Sequence, residues 1–83
     1  MKELRDKIDS IDMVIIKKIS QRMAVAKKIG QLKIKLNKPV LDKKREQQLA
    51  KMYTKLSKQH ELKPEFVQEL FEMIIRYSRR VQK

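Results

Sequence analysis

From Lys2 to Leu36 the chain contains no proline and a single glycine, Gly30, and this unbroken run constrains the fold more than any other feature. A segment so free of breakers and so rich in Lys, Ile, Leu and Met favours helix at almost every position. At 1.5 Å per residue, its roughly 33 residues form a rod of about 50 Å. The stop is well marked: Asn37 takes the left-handed conformation readily, and Pro39 denies its predecessor a comfortable helical continuation. Gly30 costs about 1 kcal/mol relative to alanine inside such a helix, which points to a close packing contact there.

One face of the rod reads Arg5, Ile8, Asp12, Ile15, Ile19, Arg22, Ala26, Ile29, Lys33 and Leu36, a heptad-like stripe. Such a seam should be buried, yet Arg5, Arg22 and Lys33 are permanent cations. A desolvated cation is unfavourable unless an anion meets it, from the protein or from a ligand. Arg22 and Lys33 lie about 16 Å apart on one face, and two long side chains can converge on one small ligand from there. Arg5 is roughly 25 Å from Arg22 along the same rod. It can share that ligand only from a partner subunit.

A second helix is expected to begin at Asp42, whose carboxylate can cap free amides, and to run to about His60. Its inward positions are Arg45, Glu46, Leu49, Met52, Tyr53 and Leu56. Glu46 either complements the helix dipole or faces a ligand. Pro64 suits the first position of a third helix, whose seam is Val67, Leu70, Phe71, Ile74 and Val81, with Ser78 between the last two. Ser78 and Gln82 stand one turn apart, as paired neutral donors or as fraying polar surface.

These segments predict an all-α fold, with one long and two shorter helices in a single domain over residues 1–83. An 83-residue chain buries only about 60 to 65% of its unfolded surface, so association would help it. The simplest cover for the long seam is its twin in a homodimer, with a monomeric three-helix bundle as the alternative.

The balance of 22 Lys and Arg against 10 Asp and Glu, a net +12, suits nucleic acid, an acidic lipid surface or a small anionic metabolite. Most of the lysines are read as a solvated face. Nucleic acid is not the expected partner, since the few aromatics (Tyr53, Phe66, Phe71 and Tyr77) do not interleave the basic residues. The absence of cysteine excludes thiolate chemistry, and His60 alone makes a poor metal site, so neither a metal nor a cofactor is expected. No apolar run approaches a membrane span and the residues after Met1 are polar, so the expectation is a soluble cytoplasmic protein without a signal peptide.

The ordered set Leu4-Arg5-Asp6-Lys7-Ile8-Asp9, Arg22, Ile29-Gly30 with Lys33, Pro39-Val40, Asp42 with Arg45-Glu46, and finally Ser78 and Gln82 resembles the all-helical chorismate mutases over essentially the whole chain. That resemblance implies an intertwined homodimer with two equivalent sites, each completed by an arginine of the other chain. It implies an enzyme of aromatic amino acid biosynthesis in the shikimate pathway, converting chorismate to prephenate by an intramolecular Claisen rearrangement without any cofactor. Carried over residue by residue, Arg22 and Arg5 of the second chain would bind the two carboxylates, with Ser78 hydrogen-bonding one of them. Lys33 and Gln82 would point at the ether oxygen. Glu46 would hold the ring hydroxyl, with Asp42 nearby and Arg45 alongside as an ordering or substrate-contacting charge.

Three other readings compete. An isochorismate pyruvate lyase resembles these mutases in its cationic site, but Arg45-Glu46 fits the mutase pattern better. A basic helical module for nucleic acid or an acidic protein would account for the charge and leave the cations on inward seams unexplained. A regulatory or catalytically dead domain cut from a longer enzyme would also carry this pattern.

Overall fold

The computed structural model describes residues 1–83 as three helices joined by two short connections. They are α1 (Lys2–Lys35), α2 (Lys43–Gln59) and α3 (Pro64–Gln82). The long axis of the molecule is 53 Å, the length of α1 itself, against 24 and 15 Å in the other directions.

Each boundary has a local cause. At the end of α1, Asn37 adopts a φ of 55°, and the Lys38 amide donates back to the Lys33 carbonyl at 2.8 Å. This closes the last turn in a Schellman-type arrangement. Asp42 caps α2, its Oδ1 accepting from the Arg45 amide at 3.0 Å. The far end of α2 repeats the closure of α1: Glu61 has a φ of 57° and the Leu62 amide reaches the Ser57 carbonyl at 2.8 Å. His60 is the C-cap residue there. Pro64 opens α3, where a missing amide proton costs nothing.

Within one chain the hub is α3. Both α1 and α2 pack on it, and they do not pack on each other. The α2–α3 contact is apolar: Leu49, Tyr53 and Val67 form the core with Phe71 and Ile75 against it, and the Tyr53 and Phe71 rings stack at 4.1 Å. The α1–α3 contact is made by small residues instead, with Ala26, Gly30 and Ser78 all buried. At Gly30 the two backbones approach closely. A Cβ there would lie 2.5 Å from the Cα and carbonyl oxygen of Gln82, so only glycine fits.

Much of the expected seam lies open in a single chain. Leu4, Ile8, Ile11 and Ile15 run along the first half of α1 and are all about half exposed or more. Met52, Leu56 and Leu70, read as inward from their spacing, are likewise exposed, because no element of the same chain covers that side. The accessible surface is 7529 Å². A folded monomer of 10.0 kDa should expose roughly 5,200 Å². No helix is long and apolar enough to cross a membrane.

Candidate active site

The cations of α1 meet the polar ends of α2 and α3 in one cavity of about 350 Å³. Arg22 and Lys33 line it from α1, and Asp42, Arg45 and Glu46 enter from the start of α2. Ser78 and Gln82 close it from the last turns of α3. Val25, Ala26, Ile29, Leu49 and Ile75 give it an apolar floor. Of the residues singled out from the sequence, Arg5 alone is absent from this cavity. It sits exposed at the far end of α1.

Hydrogen bonds hold the functional side chains in place. Arg22 donates through Nη1 to Ser78 Oγ, and the Ser78 hydroxyl in turn donates to the Ile74 carbonyl at 2.8 Å. With its proton so committed, the hydroxyl turns its lone pairs toward the guanidinium. Lys33 Nζ donates to the Val40 carbonyl at 2.7 Å and to Gln82 Oε1 at 3.1 Å, which leaves one ammonium proton free. Because the Gln82 carbonyl oxygen faces Lys33, its NH2 group is available as a second donor. Glu46 Oε1 pairs with Arg79 Nη2 at 3.2 Å.

Such an arrangement suits a small dianion carrying a further hydrogen-bonding oxygen. Guanidinium forks match carboxylates, a lysine ammonium matches a single oxygen, and a carboxylate such as Glu46 accepts from a hydroxyl. The Ser78 hydroxyl and the Lys33 ammonium are both engaged in hydrogen bonds, and no group of three or more His, Cys, Asp or Glu side chains is placed to hold a metal ion. The site's capacity is for binding, orienting and stabilising charge.

A family model described as chorismate mutase type II matches residues 4–83. The chain belongs to that family. Among type II chorismate mutases, the protein named chorismate mutase from Methanocaldococcus jannaschii is 33% identical over 81 residues, covering 98% of this chain and 82% of the relative. A bifunctional chorismate mutase/prephenate dehydratase of Buchnera aphidicola (subsp. Acyrthosiphon pisum) is 37% identical over 79 residues, 95% of this chain. The corresponding bifunctional protein of Escherichia coli is 32% identical over 75 residues, 90% of this chain. This chorismate mutase domain spans about a fifth of the length of those two bifunctional relatives.

Two contributors to the site escaped the sequence reading. The Val40 carbonyl is a backbone atom, and its only trace in the sequence is the Pro39 turn that aims it. Arg79 lines the cavity beside Ser78. Its position one residue after Ser78 on the same turn was the available signal, masked by Arg76 and Arg80, which share that end of α3.

Proposed function

We propose that the cavity between the three helices is where this family's reaction, the rearrangement of chorismate to prephenate, takes place. The observation that carries this reading is the convergence of Arg22, Lys33, Glu46, Ser78 and Gln82, from three helices, on one cavity with an apolar floor. Arg22 binds one substrate carboxylate, joined by Ser78, whose hydroxyl turns from the Ile74 carbonyl to donate to it. Glu46 accepts from the ring hydroxyl, with Asp42 capping the helix that presents it and Arg45 ordering the same turn.

The reaction breaks an ether C–O bond as a C–C bond forms, so the protein needs to supply two things. One is restriction of a flexible dicarboxylate to its compact reactive conformer. The other is stabilisation of negative charge that grows on the ether oxygen. The free proton of Lys33 and the amide of Gln82 serve the second need. Both donors are held before substrate arrives, Lys33 by Val40 and Gln82 by Lys33, so little reorganisation is left for the transition state.

The second carboxylate falls to Arg5 of a partner chain in a homodimer. Support comes from the exposed apolar stripe of α1 and from the roughly 2,000 Å² by which the surface exceeds that of a folded monomer. That excess is within the range of obligate interfaces. The test is loss of chorismate absorbance with purified protein, then with Arg22→Ala. Turnover that is abolished or reduced by orders of magnitude in the variant supports the site; unchanged turnover in a folded variant moves the chemistry elsewhere.

A further inference from the structure

We propose that Arg79 is a positioning residue that acts on the substrate through Glu46; this rests on the reading of Glu46 as the acceptor for the ring hydroxyl. Although the chain holds 22 basic and 10 acidic side chains, Arg79 and Glu46 form its one ion pair. They come from different helices, α3 and α2, and both line the candidate active-site cavity. A surface pairing driven by composition alone would recur along the first half of α1, where Glu3, Asp6, Asp9 and Asp12 stand among basic residues.

The geometry shows what the pair does. Arg79 Nη2 holds one oxygen of the Glu46 carboxylate, Oε1, at 3.2 Å. The other oxygen is left as the acceptor for a ligand, so a group that could turn freely at the start of α2 presents one lone-pair direction. The guanidinium gives something up to stand there, since its Nε–H is buried without an acceptor. An ammonium at this position would make the same pairing without an orphaned donor. The arrangement therefore requires a cation beside Glu46 and does not require the full arginine fork.

The experiment is a double-mutant cycle in the full chain with Arg79→Gln, Arg79→Lys and Glu46→Gln, read by kcat, KM and thermal unfolding. Arg79→Gln is expected to lower kcat/KM about tenfold, mainly through KM, with an unchanged unfolding midpoint. Arg79→Lys should stay within about threefold of wild type. In the Glu46→Gln background, Arg79→Gln should change kcat/KM by less than about twofold, because the group it positions has lost its charge. An equal loss in both backgrounds, or a loss that tracks a fall in unfolding midpoint, overturns the proposal while leaving Glu46 in place. If Glu46→Ala, which removes the acceptor altogether, keeps full kcat/KM, the hydroxyl-acceptor reading fails first, and Arg79 loses its role with it.

Discussion

Lys33 concentrates the residue-scale chemistry of the proposed site, because its ammonium ties the α1–α2 connection to the end of α3 and still keeps a proton for the role proposed at the ether oxygen. Lys33→Ala should raise the barrier by about 3 to 4 kcal/mol, or two to three orders of magnitude in kcat, while the far-ultraviolet circular dichroism stays helical. Gln82 is its companion in that proposed role. An amide donates at any pH, whereas a glutamic acid donates only when protonated, and beside Lys33 a carboxylate would be held in its charged form. Gln82→Glu should therefore move the optimum of the pH–rate profile toward acid, and a profile that keeps the wild-type optimum would remove Gln82 from that role. Gly30 decides where Gln82 stands. Gly30→Ala would gain about 1 kcal/mol of helix propensity but place a methyl 2.5 Å from the Gln82 backbone, an overlap that costs about 1 to 3 kcal/mol or more. The expected result is a lower unfolding midpoint and a loss of kcat from displacement of the Gln82 donor.

At the scale of the helices, the two turns close in the same way on different residues. Asn37 tolerates the left-handed conformation well, but Glu61 holds a φ of 57° with no such ease. Glu61→Gly should stabilise the chain by roughly 0.5 to 1 kcal/mol, read as a rise in the midpoint of urea unfolding with an unchanged slope. The helices themselves were legible in the sequence because their ends are written in local chemistry: Asn37 and Pro39, the Asp42 cap, and Pro64 all act within a turn of where they sit. The role of α3 as the hub was not. Nothing in the spacing of Val67, Phe71 and Ser78 says that α1 will touch α3 and miss α2, since that depends on how small Ala26 and Gly30 make the contact surface. The Arg79–Glu46 pair was hidden for the same reason, because register between α2 and α3 is set by the packing of Tyr53 on Phe71 and leaves no mark on either segment alone.

The whole molecule is a slab with a projecting rod, and the rod carries both the uncovered apolar stripe and Arg5. In the proposed dimer, each site takes Arg22 from one chain and Arg5 from the other. Mixing inactive Arg5→Ala and Arg22→Ala chains after joint unfolding and refolding should then restore about a quarter of wild-type activity, since half the dimers are mixed and each has one intact site. A mixture that stays as inactive as its components would place both arginines in the same site of one chain, and an Arg5→Ala chain that is active by itself would place Arg5 in none. The open flank of α1 has a physiological side as well. In the proposed dimer a lone chain lacks both its cover and one of its cations, so where subunits are too scarce to saturate pairing, flux would scale with the square of their abundance. Halving the supply of the chain there would leave about a quarter of the output. Under that proposed pairing, prephenate formation would respond more than proportionally to the cell's dose of this protein.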